Sequence, residues 1–261
     1  MISVNARSKW ALILGASSGF GAAVAIELAR VGYSIYGVHL DRRETLQQVA
    51  DVQHDIRNAG GETVFFNMNA ADDEKRREVI DRIRTDQNEV GVLLHSLAFG
   101  VLRPLVAAAD VASKRQMEMT SDVMGHSLVY WTQDLVSNAL MKSGGRIYAM
   151  TSEGGGKAIP EYGPVSAAKA ILEAHIRQLA LELAPLGITA NAIMAGVTDT
   201  PALRKIPGCE KLIEMAKARN PHHRLTTPLD VGRCVAALCC ANTYWMTGNT
   251  LRVDGGEGSV G

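Results

Sequence analysis

The chain has no net charge: 27 lysines and arginines balance 27 aspartates and glutamates over 261 residues. The molecule as a whole therefore has no electrostatic reason to seek a nucleic-acid backbone or an anionic membrane. Cysteine is scarce. Cys209, Cys234, Cys239 and Cys240 form no Cys-x-x-Cys pair and no cluster with histidine at zinc-ligand spacing, so no metal site is expected. Cys234 sits in the apolar run Val231 to Cys240 and reads as a reduced core residue. No stretch approaches the roughly 18 uninterrupted apolar residues of a membrane span. Met1 to Trp10 holds only short apolar pieces without a signal-peptide core, so a soluble cytoplasmic protein is expected. What remains is ordinary globular material, 47% apolar and 21% charged, which excludes disorder and collagen-like repeats.

Short apolar runs rich in branched residues recur at Ala11 to Leu14, Ile35 to Leu40, Thr63 to Met68, Val90 to Leu97, Arg146 to Thr151, Thr189 to Met194 and Thr250 to Val253, and read as buried strands. Helical periodicity separates them, near Gly21 to Val31, Arg43 to Asn58, Glu74 to Arg84, Ser121 to Met141, Val165 to Leu183 and Val231 to Cys240. Parallel strands need crossover helices, and helices on both faces make each strand a continuous apolar run. The expectation is an α/β protein: one doubly wound Rossmann-type domain over residues 1–261, with a parallel seven-stranded sheet. Thr198 to Arg224 breaks the alternation with Pro201, Pro207 and Pro221 around a helix near Glu210 to Ala218, and reads as a flap. Its segment Pro201 to Arg224 carries Arg204, Lys205, Lys211, Lys217, Arg219 and Arg224 against Glu210 and Glu214. That excess either docks an acidic partner or simply solvates a helix.

Gly15, Gly19 and Gly21 follow the first apolar run directly and open the first helix, with Ser17, Ser18 and Phe20 between them. A tight strand-to-helix turn excludes side-chain bulk, and the free amides and positive dipole of the helix start suit a pyrophosphate. Dinucleotide binding is expected. Eighteen residues beyond Gly21, where an acidic group would hold a ribose 2′-hydroxyl, stands His39. Arg42 and Arg43 could pair with a 2′-phosphate, which favours NADPH, while Asp41 before them keeps NADH open as the alternative.

Tyr162 precedes a long helix whose first turn contains Pro164, and Lys169 lies seven residues on, about two turns. Tyr162, Lys169, the glycine turn, the Ser152-Glu153-Gly154-Gly155-Gly156 loop, Asn191-Ala192-Ile193 and Val253-Asp254-Gly255-Gly256 together resemble the short-chain dehydrogenase/reductase family over nearly the whole chain. Most members place the tyrosine four positions before the lysine, where this chain has Val165. The spacing here resembles that of the enoyl-acyl-carrier-protein reductases of bacterial fatty-acid synthesis. So do His95-Ser96-Leu97-Ala98-Phe99, Asp122 and, for the NADPH-dependent type III branch, Gly100-Val101-Leu102-Arg103-Pro104 and Asp199-Thr200-Pro201-Ala202-Leu203.

The resemblance implies reduction of a trans-2-enoyl thioester on acyl carrier protein, the carrier suiting a basic flap over the substrate, and a homotetramer. In an enoyl thioester hydride goes to C3 while charge develops on a more distant oxygen, so a tyrosine moved three residues, about 4.5 Å along a helix, has a physical reason. Tyr162 would donate to that oxygen, helped by the Lys169 ammonium, which the resemblance also places on the nicotinamide ribose. Ser152 is expected either as a carbonyl ligand or as a loop cap. Asn69 and Ala70 would flank the adenine, Ser96, Leu97 and Ala98 the ribose region, and Gly196, Val197 and Thr200 the carboxamide. His222 and His223 are expected to face solvent. Two other readings stay open: a carbonyl or hydroxysteroid-type reductase, and a non-catalytic NADPH-binding regulator.

Overall fold

The computed structural model describes residues 9–106 and 109–260; the part of the N-terminal reading that falls on residues 1–8 lies outside them. Seven strands form one sheet, β1 (Lys9–Leu14), β2 (Tyr33–His39), β3 (Thr63–Asn67), β4 (Val90–His95), β5 (Arg146–Thr151), β6 (Thr189–Ala195) and β7 (Thr250–Val253). Their order is β3-β2-β1-β4-β5-β6-β7 and every neighbouring pair is parallel, as the apolar runs require. Eight α-helices accompany them: α1 (Gly19–Arg30), α2 (Leu46–Asn58), α3 (Asp73–Thr85), α4 (Lys114–Ser121), α5 (Ser127–Ser137), α6 (Gly163–Leu183), α7 (Cys209–Arg219) and α8 (Pro228–Leu238).

Alternate residues of each strand feed two cores. Leu12 and Leu14 of β1 point to the side of Ile80 on α3, Trp131 on α5 and Leu172 on α6. Ala11 and Ile13 point to the other, with Val24 and Leu28 of α1, Ile56 of α2 and Val231 of α8. Period-two geometry thus sends a continuously apolar strand into two layers at once.

The helix expected over Ser121 to Met141 instead begins at Lys114 and ends at Ser137, interrupted by a π-helical turn at Asp122–His126. Its start is polar, so apolar periodicity does not reveal it, but Ser113 and Gln116 make a reciprocal capping box. The last helix likewise begins early, at Pro228, where Thr227 and Asp230 form a second box. The fourth strand stops at His95, two residues short of the apolar run, because the chain turns there across the end of β1, with Ser96 N–H donating to Leu14 O at 2.8 Å.

α1 and α8 lie close together through Gly232, which is buried; a Cβ there would come within 2.8 Å of Ala23 O and 3.0 Å of Glu27 Cγ. Gly232→Ala forces the helices apart and is expected to lower stability by about 1–3 kcal/mol, the usual range for overpacking. A fall in the urea midpoint with an unchanged m value checks this.

Candidate active site

The order in which strands are added reverses at β1, whose neighbours are β2 and β4, and the crevice this opens lies beyond the carboxyl ends of the strands. The glycine turn forms its floor. Gly15 has φ +89°, and a Cβ there would collide with the Ser96 carbonyl; at Gly21 it would collide with the carbonyl of Gly15. Ser18 caps α1 without a side-chain hydrogen bond, and the helix has no acid in its first turn, so its amides and dipole face the crevice uncompensated. Gly19 lies against the side chain of Thr200, 3.7 Å from a Cβ built there, which brings the turn and the segment after β6 to the same place. A pyrophosphate fits this cradle of backbone.

At the far side of the turn, Asp41 meets His39 Nδ1 at 2.9 Å. Burial opposes its charge, but hydrogen bonds from Ser17, Thr45 and His39 outweigh burial and hold its carboxyl below the usual carboxylate range. Arg42 and Arg43 are exposed and have no ion-pair partner among the described residues. Ala70 is buried with its carbonyl taken by Trp131 Nε1 at 2.8 Å, while Asn69 is exposed and closes a local turn by accepting from Ala71 N–H.

Tyr162 occupies the N-cap of α6. Its ring is 9% exposed and packs with Val123, Met124, Val165 and Ala168, with Leu102 after β4 and Ile206 of the flap at the margin. The hydroxyl donates to Ser152 Oγ at 3.4 Å. Burial, partly offset by that bond, raises the phenol above its ordinary value. Ser152 also accepts from Gly154 N–H at 3.2 Å, so it caps its loop and faces the phenol together. Lys169 lies two turns into α6, fully enclosed, and its Nζ donates to Met150 O at 2.7 Å and Leu97 O at 3.4 Å. Burial pulls its pKa down to about 8, against the opposing charge of Glu173. Two carbonyls hold the ammonium, which is not among the groups acting on the Tyr162 phenol.

Other sequence expectations land unevenly. Ser96 and Leu97 line the crevice through their carbonyls and Ala98 is exposed beside them. Gly196 leaves no room for a side chain, since a Cβ would crowd Thr226 Oγ1 at 2.5 Å. The Val197 amide donates to Glu257 Oε2 at 3.1 Å and is not free. Asp122 lies near Tyr130, whose phenol is raised by burial and then by the Asp122 charge. His222 and His223 are exposed, and the four cysteines are free thiols. The flap's charge is partly internal: Arg204 clamps Asp199 at 2.7 and 2.6 Å, Arg224 clamps Asp230, and Arg219 bridges Glu153 and Glu257 at 3.0 Å each. Lys205, Lys211 and Lys217 remain exposed without an ion pair among the described residues. The sequence assigns no role to Glu257, 2% exposed, or to Glu153 and Glu173, and it places Arg219 only in the flap's basic excess. Glu153 stands in the quoted glycine loop, which is the one available signal.

A family model described as enoyl-(acyl carrier protein) reductase matches residues 15–257. The chain is 29% identical to the NADH-type enoyl-acyl-carrier-protein reductase of Nostoc sp. over 99% of both chains, and 29% identical to the NADPH-type enzyme of Staphylococcus aureus over 75% of both. The crystal structure of the Aquifex aeolicus enoyl-acyl-carrier-protein reductase (NADH) superposes with a TM-score of 0.85 at 25% identity, covering 97% of each chain.

His95, wholly buried below the crevice, sits 2.9 Å from Ser127 Oγ, whose own hydrogen goes to Val123 O at 2.8 Å. Nε2 therefore carries the imidazole proton. Burial, and then the charge of Lys169, pull the His95 pKa down to about 3. Because the folded value lies below the unfolded one, near 6.5, this group's contribution to stability is complete above pH 6.5 and disappears as pH falls towards 3. Urea midpoints should drop across that window, and His95→Gln, which keeps a donor for Ser127, should flatten the drop.

Proposed function

Since the chain belongs to the enoyl-(acyl carrier protein) reductase family of short-chain dehydrogenase/reductases and is an NAD(P)H-dependent oxidoreductase, we propose that it reduces trans-2-enoyl thioesters on acyl carrier protein with NADPH. The observation that carries this reading is a protonated phenol at the N-cap of α6, in an apolar chamber, with a buried lysine two turns along the same helix. The nicotinamide supplies hydride to C3 when bound. Negative charge then develops on the thioester oxygen, where the Tyr162 hydroxyl donates a hydrogen bond, and the enolate takes a proton at C2 from solvent; burial keeps the phenol's own proton in place at neutral pH. Ser152 orients the hydroxyl from 3.4 Å. Lys169 holds the nicotinamide ribose, Gly15, Ser17, Ser18, Gly19, Phe20 and Gly21 the pyrophosphate end, and Gly196 and Thr200 the carboxamide end. The apolar side chains around Tyr162 exclude water from the acyl chain.

Free Arg42 and Arg43, beside an Asp41 carboxylate that His39 already engages at 2.9 Å, support a 2′-phosphate and hence NADPH over NADH. The flap, residues 198–224, covers the substrate, supported by Ile206 at the edge of the tyrosine cluster. Lys205, Lys211 and Lys217 meet the acidic carrier. Leu181, 70% exposed on α6, and Trp245, 86% exposed, support assembly as a homotetramer. The reaction proposed here runs in the cytoplasm; among the described residues no helix is long and apolar enough to cross a membrane.

With crotonyl thioester, NADPH should be oxidised faster than NADH, and Arg42→Ala with Arg43→Ala should erase the preference by raising the KM for NADPH. Tyr162→Phe is expected to lower kcat by about 10²- to 10⁴-fold with nucleotide affinity retained. Undiminished crotonyl reduction in that variant overturns the role of the phenol. The Tyr162–Ser152 pair also suits a ketone oxygen, so turnover of 3-oxoacyl thioesters alone selects a carbonyl reductase. NADPH binding without either turnover selects a regulator.

A further inference from the structure

Glu173 is half-buried on α6, one turn beyond Lys169 and on the same helix face. It touches neither the glycine turn nor Tyr162. Thr151 Oγ1 donates to its Oε1 at 2.7 Å. Thr151 stands at the end of β5 between Met150, whose carbonyl receives the Lys169 ammonium, and Ser152, whose hydroxyl receives that of Tyr162. The carboxylate and the lysine stem border one spot on the intervening loop: a Cβ at Gly155 would lie 3.2 Å from Lys169 Cβ and 3.6 Å from Glu173 Oε1.

The charge on Lys169 needs such a neighbour. An ammonium held only by carbonyl dipoles in a closed interior loses its proton readily. The surrounding elements offer little else. On β4, His95 is neutral and its proton serves Ser127. In the loop after β5, Glu153 is committed to Arg219 and Lys157. In the π-helical turn, the Asp122 charge falls on Tyr130. Glu173, one turn along α6 and bordering the same spot on the loop as the lysine stem, is the nearby carboxylate that pairs with no cation among the described residues.

We propose that Glu173 is a positioning residue of the active site: its carboxylate keeps the Lys169 side chain protonated while its bond to Thr151 holds the Met150 carbonyl and Ser152 in register. The proposal deepens the Tyr162–Lys169 reading and rests on it for its catalytic meaning. Lys169 arrives buried, and Glu173 decides over what pH range it stays a cation. The burial-lowered value of about 8 leaves little margin above neutrality, so loss of one negative charge is felt within the working range.

The test reads the lysine itself, without nucleotide or substrate. Protein labelled with 13C-lysine is titrated and the Cε resonance of Lys169, assigned by its absence in Lys169→Arg, is followed with pH. Glu173→Gln keeps an acceptor for Thr151 and should lower the midpoint by about one unit or more, the ordinary effect of removing a close opposite charge. Thr151→Val, which frees the carboxylate to swing towards solvent, should move it the same way by a smaller step, and carries the test if the first variant does not fold. In the enzyme assay the alkaline limb of kcat/KM should shift down with the resonance. Midpoints unchanged in the folded variants overturn the proposal, whatever the substrate proves to be. Shifted midpoints in a protein inactive on enoyl thioesters would uphold the proposal for Lys169 and remove only the reaction assigned above.

Discussion

A single buried ammonium organises the functional half of this molecule. Enclosing a lysine costs several kcal/mol if nothing meets its charge, and here the answer comes from three directions: the Met150 carbonyl at the end of β5, the Leu97 carbonyl after β4, and Glu173 on the lysine's own helix. The two carbonyls lie at and just beyond the carboxyl ends of adjacent strands, where a doubly wound sheet places its crevice. The same charge depresses His95 further into neutrality. The lysine's bonds to Met150 and Leu97 tie α6 to the ends of β5 and β4, and Tyr162 stands at the N-cap of that same helix.

Long-range architecture was legible in the sequence because it depends on repeated, local signals. Seven apolar runs alternating with helical periodicity leave few alternatives to a parallel sheet, and the glycine turn needs only its place between the first strand and helix. The start of the helix at Lys114 was less legible, since Lys114-Arg115-Gln116 carries no apolar stripe and its evidence is a capping pair. The π-helical turn at Asp122–His126 has no sequence signature at all. Of the site, Tyr162, Lys169 and Ser152 could be found by spacing, and the structure brings Ser152 to the phenol. Glu173, Arg219 and Glu257 could not, because each matters through a partner distant in the chain: Glu173 through Thr151, Arg219 through Glu153, Glu257 through Val197.

The flap shows why a charge count overstates what a surface presents. Six basic residues suggest a strongly positive face, yet Arg204, Arg219 and Arg224 are bound within the molecule. Arginine's planar fork favours such fixed pairs, whereas the lysines keep their hydration and stay available. Arg219 is the most consequential of the three, for it joins α7 to the catalytic loop and to the turn after β7.

That last connection has a thermodynamic implication. With its amide proton already committed to Glu257, Val197 offers an arriving carboxamide only an exchange of one acceptor for another, which yields little net enthalpy. Affinity at that end of the crevice must then come from surface covered rather than from bonds newly made, and the carboxylate left behind has Arg219 to retire to. A carboxamide bound there, as proposed above, would draw on the same Glu257 that Arg219 uses to tie α7 to the turn after β7.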